Sequence, residues 1–171
     1  RLGMIYRSMG TMKKGFVLVF ATGIFLLAMA TAWMMRPTDL EVDPNPVSIE
    51  FSEVATSRGP VRIKGTAHYV ARVMQTSEAT LFSDEKTVVS YGLFPKGDIT
   101  SKEIRILVRT EIPIPKNTDF AYVALEGSLQ EPTRLTVPFQ MERVIGERSG
   151  YFFSPDLLVL QAWSQEIVPV D

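Results

Sequence analysis

Cysteine is absent from the 171 residues, and histidine occurs once, as His68. The first absence excludes disulfides, thiol nucleophiles, thiolate zinc sites and iron–sulfur ligation. The second means that Ser-His-Asp catalysis or a histidine metal site would hang on one side chain. Carboxylates are missing from residues 1–36, where Arg1, Arg7, Lys13, Lys14 and Arg36 give a net charge of +5. The remainder holds 13 Lys and Arg against 19 Asp and Glu, a net of −6. An acidic domain is a poor ligand for a polyanion, because neutralising phosphates needs a positive surface. Nucleic acid is therefore not expected as a partner. Proline is missing before Pro37, and all eleven prolines lie at or beyond it. No G-x-S-x-G, P-loop, G-x-G-x-x-G or EF-hand calcium loop occurs.

The longest stretch without charge is "GFVLVFATGIFLLAMATAWMM", Gly15 to Met35. As a helix its 21 residues would span about 31 Å, roughly one hydrocarbon core. Lys13 and Lys14 bound one end, and Trp33, suited to an interfacial belt, and Arg36 the other. A cleaved signal peptide is the rival reading, with Ala30-Thr31-Ala32 as its small-residue site. The length of the run favours a retained transmembrane helix over 15–35. Four cations precede the run and one follows it. The positive-inside rule then places residues 1–14 in the cytoplasm of a bacterial-type inner membrane and the C-terminal domain on the periplasmic side, or in the equivalent organellar arrangement. The lipid bilayer is thus one expected partner. Ala28 and Ala32 form a small-xxx-small pair suited to packing on another helix.

"RPTDLEVDPNP", residues 36–46, reads as a stalk, because Pro37, Pro44 and Pro46 bar a helix and favour extended backbone. Beyond it, over 47–171, the hydrophobic period is two. In "VRIKGTAHYVA" Val61, Ile63, Ala67, Tyr69 and Ala71 face one way, and Arg62, Lys64, Thr66, His68 and Arg72 the other. "KTVVSYGLF", "EIRILVRT", "FAYVALEGSL", "RLTVPF" and the pair "GYFFS" and "LLVLQAW" supply further strands, separated by Gly/Pro/Asp turn signals. About 125 residues suffice for one core. The expected fold class is all-β, a small antiparallel barrel or, alternatively, a β-sandwich. Gly65 and Gly127 interrupt their strands, as glycines do at the bulges and bends of a barrel.

The order of features resembles an OB-fold: a long bent first strand with Gly65, a strand at Glu103 to Thr110, the Pro-bearing loop "EIPIPKNTD", then "YVALEGSL" and the closing "GYFFSPDLLVLQAW". With one membrane helix ahead of it, the plan is similar to the periplasmic heme chaperone of cytochrome c maturation. The resemblance implies an OB-like barrel and a heme- or lipid-handling role. In that family the last strand runs into a Val-Leu-Ala-Lys-His segment whose His binds heme covalently, with a Tyr a few residues on. Here the register reads Val159, Leu160, Gln161, Ala162 and Trp163, and Ile167 stands near the place of the Tyr. Trp offers no basic nitrogen for the iron, so the heme residue is not carried over, and no cofactor is expected.

His68 is expected as an exposed strand residue, and its neighbours Lys64 and Arg72 disfavour a divalent metal. The carboxylate pairs Glu50 and Glu53, Asp84 and Glu85, and Glu142 and Glu147 fall at loops or strand ends and read as solvated surface. No catalytic or metal-ligating set is expected. The aromatics carry more interest. Consecutive Tyr151, Phe152 and Phe153 must occupy both faces of any strand, so at least one ring leaves the core. Tyr91, Phe94, Tyr151, Phe153 and Trp163 are the candidate partner or ligand contacts. These features together suggest a non-enzymatic, single-pass accessory, scaffold or assembly subunit that meets other membrane protein subunits through its helix and its β-domain. A heme- or lipid-handling carrier is the alternative.

Overall fold

The computed structural model describes residues 45–77 and 84–169. The expected cytoplasmic segment, the transmembrane helix with Ala28 and Ala32, and most of the stalk lie outside the described residues. Among the described residues no helix is long and apolar enough to cross a membrane.

The domain is mostly β, with one six-stranded mixed sheet. Its strands are β1 (Val47–Ser48), β2 (Gly59–Ser77), β3 (Lys86–Phe94), β4 (Glu103–Thr110), β5 (Phe120–Gln130) and β6 (Phe152–Ile167). A short 3-10 helix, Phe51–Thr56, follows β1, and α1 (Met141–Ser149) lies between β5 and β6. The sheet order is β1-β2-β3-β4-β6-β5, and β2 pairs with β5 as well. Five strands therefore close into a ring. The ladder can be followed around it: Pro60 faces Ser128, Ser128 faces Gln161, Gln161 faces Arg109, Arg109 faces Ser90, and Ser90 faces Val73, well beyond Pro60 on the same strand. That offset is the stagger a barrel of tilted strands requires.

The expected antiparallel barrel is corrected in two pairings. β4 and β6 run parallel, as do β1 and β2. Parallel neighbours need a long crossover. The stretch 131–151, with α1, carries the chain back so that β6 enters between β4 and β5 in the direction of β4. A second correction concerns "RLTVPF", expected as a strand: it forms turns leading into α1. Thr136 N–H donates to both Thr133 O and Thr133 Oγ1, and Thr133 N–H donates to Thr136 Oγ1, which closes the turn locally. α1 ends where Gly150 adopts φ 73° and its N–H bonds Gly146 O, the usual left-handed helix stop.

The inward face of the ring is filled by alternating residues of all five strands, among them Ile63, Tyr69, Tyr91, Val108, Leu125 and Leu160. Outside the ring a second core forms where Met141 and Ile145 of α1 cover Ala71, Phe94, Ile104 and Leu107. Gly127 sits at a register shift in the β5–β6 ladder, where the extra residue is Trp163 of β6 and not the glycine. A Cβ there would meet Gln161 O at 2.5 Å and Ala162 Cα at 2.9 Å, both backbone atoms of β6. Gly127→Ala must push β5 and β6 apart, and should cost roughly 1–3 kcal/mol. The cost is read from the urea midpoint; an unchanged midpoint would mean that the seam spreads freely.

Candidate functional site

His68 is fully buried, against the expectation of an exposed strand residue. Its parity along β2 does direct it away from the barrel interior. The outer wall there is covered, however, by the turn after β3 and by the start of β6. Gly92 lies directly opposite His68 on β3. A Cβ at Gly92 would meet the Phe94 ring at 2.7 Å, so the missing side chain gives that ring its place. Phe94 then stacks on the imidazole with centroids 3.8 Å apart, while Phe120 and Tyr151 meet it edge-on at 4.8 and 5.7 Å.

Both ring nitrogens are engaged. Nε2 lies 2.6 Å from Asp98 O. A carbonyl only accepts, so Nε2 carries the hydrogen. Nδ1, 2.9 Å from Tyr151 Oη, then accepts from the phenol. The imidazole is neutral. Burial, foremost, holds its pKa below the ordinary value of 6.5, and the Lys102 ammonium acts in the same direction, against the pull of Asp98. Lys102 Nζ itself sits 4.0 Å from the Tyr151 ring centre.

The turn that supplies the Asp98 carbonyl is itself locked. The Asp98 carboxylate accepts from Ser101 Oγ at 2.6 Å, Ser101 N at 3.0 Å and Thr100 N at 3.1 Å. These bonds hold its pKa below the usual carboxylate range. Gly97 N–H donates to Thr66 Oγ1 at 2.9 Å. His68 thus staples β2, the turn at residues 95–101 and the start of β6 to one another. With its lone pair taken by Tyr151 and its N–H by Asp98, the imidazole ties these segments of the chain together. Around it emerge three partly exposed apolar side chains: Val70 at 44%, Ile99 at 54% and Phe120 at 37%. Their backbones meet here, since Val70 N–H bonds Asp119 O and Ile99 follows Asp98.

The other sequence candidates fall elsewhere. Tyr91, Phe94 and Tyr151 are buried in the two cores and do not face a partner. Tyr91 Oη donates to Gln165 Oε1 at 2.7 Å, and Gln165 Nε2 donates to Tyr69 Oη at 3.0 Å. Burial pushes the Tyr69 phenol up to about 12 and Tyr91 well above its ordinary value, so both stay protonated. Phe153 and Trp163 are half-buried, while Phe152, between Tyr151 and Phe153, is the ring that leaves the core, at 52% exposure. The six carboxylates of the expected pairs are exposed. Among the described residues no cluster of three His, Asp or Glu side chains could hold a metal.

Sequence reasoning missed the staple because its parts, His68, Asp98 and Tyr151, are far apart in the chain and carry no spacing motif. The only local signal was His68 itself, placed between Gly65 and Val70 on the longest strand.

The buried neutral His68 makes stability depend on pH. With its folded-state pKa lowered, the unfolded chain takes up this proton first. Stability should be complete above about pH 6.5 and decline as the pH falls through that value toward the folded-state pKa. As His68 is the chain's only histidine, the slope in this window belongs to it. Urea midpoints across the window should flatten in His68→Gln; an unchanged slope in that variant would remove the assignment. No protein-family model matches the chain, and no curated protein matches it.

Proposed function

We propose that this chain is a non-enzymatic contact subunit of a membrane protein complex. In this reading its apolar run at 15–35 anchors it in a bacterial-type inner membrane or an organellar equivalent, and an OB-like barrel outside the cytoplasm docks a partner protein. The strand order supports the OB-like assignment, because β2-β3-β4-β6-β5 closes back on β2 with the third and fifth ring strands parallel.

The observation that carries the docking reading is the apolar surface at Val70, Ile99 and Phe120. These side chains stand on backbone fixed by the His68 staple, so little ordering entropy is lost when a partner covers them. Lys96, 5.1 Å from the Tyr122 ring centre, and Lys102 flank the region and make no ion pair among the described residues. A partner with an acidic rim around an apolar centre suits this surface. The alternative, a heme or lipid carrier, would use an apolar face of the barrel, since the interior is filled by Tyr69, Tyr91 and the aliphatic residues around them.

The test is recovery of the full chain from native membranes beside a Val70→Asp/Ile99→Asp variant. The wild type should bring down a defined set of membrane subunits. The variant should bind them at least about thirty-fold more weakly, the scale of losing a central apolar anchor worth about 2 kcal/mol, with its thermal midpoint nearly unchanged. A wild-type chain that runs as a lone monomer, or a variant that keeps every partner, would defeat the proposal. A Soret band in the purified sample would favour the carrier instead.

A further inference from the structure

The segment between β5 and α1 presents the most exposed large apolar side chains among the described residues, Leu135 at 88% and Phe139 at 101%. It is not a loose loop. Thr133 and Thr136 lock its turn through reciprocal hydrogen bonds, and Val137 N–H bonds Thr133 O at 2.7 Å. Arg109 Nη1 donates to Leu135 O at 2.9 Å from below. Val137, between the two exposed residues, packs inward on the second core. The backbone is pinned on its inner side while Leu135 and Phe139 project outward.

We propose that residues 133–139 form a wedge that inserts into the interfacial zone of a lipid bilayer. The inference rests on the reading of 15–35 as a membrane anchor. Only residues 36–44 separate that run from Asn45, and nine residues reach at most about 30 Å. The wedge is rooted where the chain enters the barrel: Leu129 faces Gly59 at the start of β2, Arg58 is bridged to Glu131, and β1 pairs alongside at Val61. On that reading the tether would join the barrel beside the strand ends that carry these side chains.

Shape and tethering favour lipid as the occupant. Leu135 and Phe139 stand almost fully exposed on either side of an inward-facing valine, as side chains that insert at a lipid surface must. The tether raises the local concentration to the millimolar range, so a small contact area suffices. Charge is compatible as well. Glu131 is held by Arg58, Glu147 by Arg143, and Glu142 accepts from Phe153 N–H. Arg134 and Arg148 make no ion pair among the described residues and suit lipid phosphates.

The absence of cysteine makes site-specific labelling direct. The full chain carrying Phe139→Cys, Leu135→Cys or Met74→Cys would be labelled with the fluorophore NBD and placed in nanodiscs of phosphatidylethanolamine and phosphatidylglycerol. Met74 is an exposed apolar control on β2, at 62%. The labels at 135 and 139 should be blue-shifted and quenched several-fold more strongly by doxyl lipids than the label at 74. Water-like, unquenched emission at both wedge positions, with the chain co-eluting with the discs, overturns the wedge alone. Shielding of those labels only in native membranes would assign the segment to a protein partner and overturn lipid as the occupant. A chain that does not stay with the discs overturns the anchor, and the wedge with it.

Discussion

The double pairing of β2 is the constraint on which the rest of the domain depends. Its first part pairs with β5 and its second part with β3, so a single strand of 19 residues joins the two ends of the sheet. Closure removes the free edges of the five-stranded ring and fixes an inside. The stretch 131–151 does not extend the ring as another strand and lies on its wall. There it covers Phe94, Ile104 and Leu107 and creates the second core.

The His68 staple follows from the same geometry. Near His68, β2 passes from one neighbour to the other, and its register with β3 shifts between His68 and Val73. The ladder is irregular at this place, and side-chain hydrogen bonds to Asp98 and Tyr151 take over from backbone pairing. A buried polar group is tolerable only when its hydrogen-bonding capacity is met, and here each ring nitrogen has one partner. Arg109 is less well served. Its Nε and the Ser90 hydroxyl opposite it are buried without partners, and burial lowers the guanidinium pKa. The domain holds segment 133–139 in place with a cation whose desolvation is incompletely offset.

Two of the five ring strands were legible as alternating runs, two as runs rich in β-formers, and the fifth as two shorter runs that the structure joins across Pro155. The close approach of backbone at Gly127 was legible too, because a glycine inside an apolar strand marks a bulge or such an approach. Leu135, Val137 and Phe139 alternate as a strand would, yet the reciprocal hydrogen bonds of Thr133 and Thr136 close that segment into turns. α1 offers only Met141 and Ile145 as buried anchors and contains Gly146, too little pattern to announce a helix. Without the helix, the second core is invisible, so His68 reads as surface and Phe94 and Tyr151 as candidate contacts. Parity gave the right face for His68 but could not say that the face was covered.

The last strand decides when this architecture becomes available to the chain. β6 pairs with β4 on one side and β5 on the other. Until Leu157 to Ala162 arrive, both neighbours present open edges, and the interior lacks Leu158 and Leu160. The apolar character of "LLVLQAW" follows from this position: a strand inserted between two others is buried on both faces over Leu157–Leu160. Trp163 lies just past that stretch, where β6 has run beyond its last β4 partner, and the pairing with β5 skips it: Glu126 faces Ser164 and Gly127 faces Ala162. The half-buried indole therefore stands at a bulge of the closing strand, at the end of the β4–β6 seam.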